Sequence, residues 1–228
     1  DRHMTVPEDR FVHSLHGYFI LGGDIDVPIV YEVDRIRDGG SFTTRRIVAI
    51  QKGRPIFNMS ASFQLAQEGF EHQIPMPNVP PPEVLISEDE LAKTHGHRHI
   101  DRPVEFRGVE RTGPDNPRNS PPFRHLWFRS KGEMPDDKRA HLEALAYTVD
   151  YHLLGTSILP HREDLPEVGI FTASLDHAMW FHRDFRMDEW LLYAMDSPSA
   201  SNTRGFSRGN IFTQDGTLVA SVVQEGLI

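Results

Sequence analysis

The chain has 228 residues, with 24 Lys+Arg against 33 Asp+Glu, a formal net charge of −9, 13 His and no Cys. Without cysteine there is no disulfide scaffold, thiolate metal site, iron–sulfur cluster or Cys nucleophile, and the acidic balance argues against a dedicated nucleic-acid binder. No apolar run approaches the roughly 18 residues of a membrane span, and no charged-then-apolar leader opens the chain, so a cytoplasmic protein without membrane contact is expected.

In chain order, alternating apolar and polar residues predict strands at His13–Phe19 and Val27–Val33. Arg46–Gln51, the turn Lys52-Gly53 and Arg54–Gln64 form a strand–turn–strand signal. Five prolines between Ile74 and His99 (Pro75, Pro77, Pro80, Pro81, Pro82) predict an extended linker, with Ser87–Ala92 as a short capped helix. Strands follow at Val104–Val109 and His125–Arg129, separated by a Pro-rich loop over Gly113–Pro122. Leu142, Leu145, Ala146, Val149 and Leu153 recur at helical spacing and predict a helix over Arg139–Leu154, capped by Asp136 or Asp137 and ended by a left-handed Gly155. The remaining strands are Ala173–Trp180, Trp190–Met195, Asn210–Gln214 and Thr217–Gln224, the last two joined by a two-residue Asp215-Gly216 turn.

These elements repeat. Ser14–Phe19 and Pro28–Asp34 match Asp176–Phe181 and Trp190–Asp196 at an offset of 162 residues (14 to 176, 19 to 181), and with one residue inserted Lys52-Gly53 falls on Asp215-Gly216. The repeat predicts two related α+β units: a first over 1–73, a Pro-rich linker over 74–100 and a second over 101–228. A helix like that of the second unit has no room before Phe11, so the first is expected to be N-terminally incomplete. The opening at Asp1, without an initiating Met, fits a chain that is not the whole gene product.

Three features bear on chemistry. Gly205-Phe206-Ser207-Arg208-Gly209 matches the nucleophile-elbow pattern, but a hairpin follows where a helix is required, and no His occurs after His182. His95-Gly96-His97-Arg98-His99 with Asp101 could bind a metal, yet it lies between Pro-rich segments and reads as a solvated loop; no metal site is expected. Asp150 stands in the last turn of the predicted helix, where a carboxylate opposes the helix dipole, and so is either a functional exception or a solvent-facing residue at a frayed end. His177 and His182 read as hydrogen-bonded structural residues.

The runs Arg45–Gln51, Met59–Gln64, Gly69–Gln73, Leu175-Asp176-His177-Ala178-Met179-Trp180-Phe181-His182 and Val222–Gly226 resemble the acyl-CoA thioesterase II family, from about Val6 to the end. The resemblance implies an α+β double hotdog, two antiparallel sheets each wrapping a central helix, with the first hotdog lacking its N-terminal strand and helix here. It implies hydrolysis of fatty acyl-CoA to a free acid and coenzyme A, with no cofactor beyond the coenzyme A of the substrate, and assembly as a homodimer or homotetramer. It also implies a catalytic set, Asp150, Ser174 and Gln224, that holds a water.

Such a set needs no covalent nucleophile. A thioester carbonyl is electrophilic because sulfur donates its lone pair poorly, so a positioned water with a carboxylate base can attack it. Partial burial of Asp150 is expected to strengthen it as a base, while neutral Ser174 and Gln224 orient the water. Two alternatives remain: a hotdog hydratase acting on an enoyl thioester, for which Asp176-His177 is a poor pair because neighbours on a strand face opposite ways, and a non-hydrolytic acyl-CoA-binding protein. Without a first-half helix, the concave face of the first sheet is expected to expose apolar surface.

Overall fold

A computed structural model describes residues 6–94, 101–110, 118–166 and 169–228. Its elements run β1 Arg10–Phe19, β2 Val30–Asp38, β3 Phe42–Gln51, β4 Arg54–Leu65, α1 Glu88–Thr94, β5 Val104–Gly108, β6 Phe123–Ser130, α2 Lys138–Thr148, β7 Ala173–Ser174, β8 Asp176–Phe181, β9 Leu191–Ser201, β10 Arg204–Thr213 and β11 Leu218–Leu227. The strands form one antiparallel sheet in the order β2-β3-β4-β1-β8-β11-β10-β9-β6-β5, with β7 paired to β11. The two expected sheets are therefore halves of one, joined where β1 meets β8.

That junction carries the symmetry of the repeat. His16 pairs with Ala178, its own counterpart 162 residues on; Ser14 pairs with Trp180 and Tyr18 with Asp176, each the other's counterpart. The pairing thus maps onto itself under exchange of the halves, as two copies of one strand meeting about a twofold axis must.

In the second half, alternate residues are buried on opposite faces. Leu126, Phe128, Leu191, Tyr193, Met195, Ile211 and Val222 face Leu145, Val149 and Leu153 of α2 and the turn after it, while Trp127, Leu192 and Phe212 face the other way. On that outer face lies the linker. Met76, Val79 and Leu85 pack there, Trp127 Nε1 donates to Pro80 O at 2.9 Å, and Arg107 Nη1 donates to Pro82 O at 2.8 Å. Proline-rich chain lacks the N–H groups to extend the sheet, but its carbonyls can accept from side chains projecting off it. Burial on both faces explains the unbroken apolar run Trp190–Met195.

α1 starts with a capping box: Ser87 Oγ accepts from Glu90 N at 3.2 Å, and Glu90 Oε2 accepts from Ser87 N at 3.1 Å. α2 is capped by Asp137, whose Oδ1 accepts from Arg139 N at 3.0 Å. It ends earlier than its periodicity implies. Val149 is the C-cap, the left-handed residue is His152 (φ 67°) rather than Gly155, and Leu154–Asp164 continues as a 3-10 helix. The turns differ too. Lys52-Gly53 has both residues at positive φ, as a two-residue turn requires, and so does Asn202-Thr203, joining β9 to β10. At Asp215-Gly216 only Gly216 is left-handed, and Thr213 N donates to Thr217 O around a three-residue loop.

In the first half the Arg46–Asp34 ion pair lies on one face of the sheet and Val33, Ile47 and Met59 lie on the other. On that face Phe19, Tyr31 and Val33 are exposed, while α2 touches β1, with Lys138 Nζ 4.5 Å from the centre of the Phe11 ring. In the second half, Gly209 lies flat beneath the buried Tyr193 ring, and a Cβ there would overlap the ring atoms. Gly209→Ala is expected to lower stability by about 1–3 kcal/mol, measured as a fall in Tm by calorimetry.

Candidate active site

The site forms on the core face of β11. Gln224 lies there, paired with Ser207 of β10 on one side and, one residue past the Val223–Ala178 pair, facing His177 of β8 on the other. An unbroken strand over 173–180, as the sequence implies, would put Ser174 on the same face as Asp176 and away from His177. The structure breaks it at Leu175. Ala178 pairs with Val223, but Ser174 pairs with Gly226, where continuous register would place Leu175. Leu175 N donates to Glu225 O at 2.9 Å, and Asp176 Oδ1 accepts from Glu225 N at 2.7 Å, closing the ladder around the extra residue. Such a bulge re-aims a side chain, and Ser174 is turned to the face that Gln224 occupies. Gln224 Nε2 donates to Ser174 Oγ at 2.6 Å.

Gln224 is 1 % exposed, and its other amide atom, Oε1, lies 2.9 Å from His177 Nδ1. Asp176 and His177 point to opposite faces, and Asp176 is held by a backbone N–H, which leaves no Asp–His pair for hydratase chemistry. Ser207 of the elbow-like motif sits inside β10, fully buried, its Oγ without a partner among the described residues.

Asp150 stands two residues past the end of α2, in a turn and not in the helix. Its side chain is exposed rather than partly buried, because the buried stripe of α2 ends on Val149. Neighbours on either side pin the turn. Tyr193 Oη donates to Val149 O at 2.8 Å, and burial, reinforced by the Asp150 charge, pushes the Tyr193 phenol well above its ordinary range, so it stays a donor. On the other side His152 has its Nδ1 3.2 Å from Arg124 Nη1 and its Nε2 3.3 Å from Glu88 Oε1. Burial pushes the Glu88 carboxyl up, but the contact with His152 and the charges of His152, Arg102 and Arg124 outweigh it and hold it below the ordinary carboxylate range. A residue of the linker helix thus anchors the left-handed His152.

The turn leads across the strands that carry the other two residues. Leu154 fills the space above Gly226, the cross-strand partner of Ser174. The structure joins Ser174 to Gln224; among the described residues Asp150 makes no hydrogen bond to either. The His95–His99 tract lies outside the described residues, and among those described no group of three or more His, Asp or Glu could hold a metal ion. Sequence reasoning did not place His177 against Gln224 or Tyr193 against the turn that carries Asp150. The only signal was their polar atoms on otherwise apolar faces.

The acyl-CoA thioesterase family model matches residues 94–227, and the model of the acyl-CoA thioesterase N-terminal domain matches 1–64. The chain is 39 % identical to acyl-CoA thioesterase 2 of Haemophilus influenzae, over 99 % of this chain and 82 % of that protein. The crystal structure of an acyl-CoA thioesterase II from Mycobacterium marinum superposes with a TM-score of 0.84 at 46 % identity, covering 98 % of this chain and 82 % of that one. A hotdog-fold protein of unknown function from Alicyclobacillus acidocaldarius superposes with a TM-score of 0.74 at 20 % identity, over 98 % and 81 % of the two chains, and supports the fold alone. Matched in both halves and along nearly its whole length, with a helix end laid across an antiparallel sheet, the chain belongs to the acyl-CoA thioesterase II family, thioester hydrolases of hotdog fold.

Proposed function

We propose that Asp150, Ser174 and Gln224 carry the hydrolysis of fatty acyl-CoA, with Asp150 as the base and the other two orienting the attacking water. The observation that supports this most is the Gln224–Ser174 hydrogen bond of 2.6 Å on the buried face, beneath the segment that leads from Asp150. The Asp150 carboxylate takes one proton from the water while the water oxygen bonds to the thioester carbonyl carbon. Collapse of the tetrahedral intermediate breaks the C–S bond, and sulfur leaves with the electron pair and takes the proton back from Asp150. The exposed Asp150 suits a base that a bound acyl-CoA covers and desolvates.

The test is release of free thiol from short, medium and long acyl-CoAs. Turnover supports the reading; binding of acyl-CoA without thiol release would make the protein a non-hydrolytic acyl-CoA carrier. Tyr193→Phe probes the support of Asp150. Loss of the bond to Val149 O is expected to cost about 1 kcal/mol of stability and to lower kcat several-fold through misplacement of the base, measured by thermal unfolding and thiol release.

The expected assembly is a homodimer or homotetramer, because β2 is exposed along its whole length and, among the described residues, forms an unpaired edge. Light scattering on a sizing column reads it. The expected compartment is the cytoplasm, and the double-hotdog reading of the two halves rests on the symmetric pairing of β1 with β8.

A further inference from the structure

We propose that His177 is a positioning residue that fixes the direction of the hydrogen bonds through Gln224 to Ser174. The inference rests on the reading of Ser174 and Gln224 as the water-orienting pair, and it adds the residue that orients them.

A glutamine amide presents an acceptor and a donor that exchange places on a half-turn of its last torsion. Ser174 cannot choose between the two, because a hydroxyl both donates and accepts. His177 can. It faces Gln224, 9 % exposed, with Nδ1 2.9 Å from Gln224 Oε1. No acceptor lies within reach of the buried Nε2 among the described residues, so a proton there would go unpaired; the ring proton belongs on Nδ1, which donates to Gln224 Oε1. With Oε1 held by His177, Nε2 of Gln224 must face Ser174 and donate to it, as the 2.6 Å contact has it.

The consequence reaches the reacting atoms. Ser174 Oγ accepts from Gln224, so its own proton is free to point away from Gln224, to the water or the thioester carbonyl. If the amide were reversed, Ser174 would donate to Gln224 and present only a lone pair to the substrate. The remaining ring nitrogen, His177 Nε2, is buried and without a partner among the described residues.

Three variants and one spectrum test this. In His177→Asn the side-chain amide N–H takes about the place of Nδ1; in His177→Gln it reaches toward Nε2; His177→Leu fills similar space without a donor. The expected result is a kcat lower by about 10–100-fold in His177→Leu and His177→Gln with KM little changed, and a kcat within about 3-fold of the parent in His177→Asn. Packing alone would favour Leu over Asn. Nitrogen-15 NMR of the unsubstituted protein is expected to show the Nδ1–H tautomer for His177, a readout that does not depend on any variant folding. Full kcat in a folded His177→Leu, or an Nε2–H tautomer, overturns the proposal. Gln224→Ala assayed alongside separates the levels. If it keeps full kcat, the catalytic reading of the pair fails; if it loses kcat while His177→Leu does not, only the positioning role fails.

Discussion

Asp150→Asn is expected to fold and to release thiol from acyl-CoA at least about 100-fold more slowly than the parent, the low end of what a positioned base contributes. The substitution keeps the size of the side chain and removes only its capacity to take a proton. It costs little stability, because Asp150 is exposed and makes no hydrogen bond among the described residues; what holds the turn is Tyr193 on Val149 O and the Glu88–His152–Arg124 contacts. A carboxylate at the end of a helix, facing its dipole, is an unfavourable local choice. Asp150→Asn is therefore expected to leave Tm unchanged or to raise it slightly while turnover collapses. Opposite movement of stability and rate marks a residue kept for chemistry. The measurement is thiol release at saturating acyl-CoA beside a melting curve.

Ser174→Ala and Gln224→Ala are each expected to lower kcat by about 10–100-fold, and the double variant by scarcely more than the worse single one. The reason is the 2.6 Å bond between them: on the proposed reading Gln224 holds the Ser174 hydroxyl that faces the water, so losing either one already frees the water. Their effects on stability differ. Gln224 is 1 % exposed between β8 and β10, and its removal leaves His177 Nδ1 without its acceptor, at about 1–3 kcal/mol. Ser174, at a strand end beside the bulge, leaves only a Gln224 N–H to re-pair. Additive losses in kcat across the double-mutant cycle would mean that the two residues do not share one water.

Much of the fold was legible in the residues. Period-two alternation marked the strands, but the repeat of Ser14–Phe19 in Asp176–Phe181 did not indicate that these two segments would lie side by side. Which edges meet is a tertiary choice that periodicity does not encode. The prolines marked the linker as extended but not as the cover of Trp127 and Phe212, because its contacts are carbonyls and single apolar side chains without a period. α2 was read too long because Leu153 continues its apolar spacing through a turn, where the chain reverses on a left-handed His152 that no glycine announces. The bulge at Leu175 was invisible, since one extra residue changes the register and leaves the composition untouched, yet it turns Ser174 to Gln224. Asp150, Ser174 and Gln224 were nameable only through resemblance to a family; spacing alone left Asp150 between a functional residue and a frayed end.

The central claim is direct attack by an oriented water, with Asp150 as base and never as a nucleophile. A single turnover of acyl-CoA in oxygen-18 water, with enzyme in excess, tests it most directly. The account predicts label in the released acid, none in the peptide that carries Asp150, and no acyl adduct trapped on the protein by hydroxylamine. Label in the Asp150 carboxylate, or a trapped acyl-protein, would contradict it.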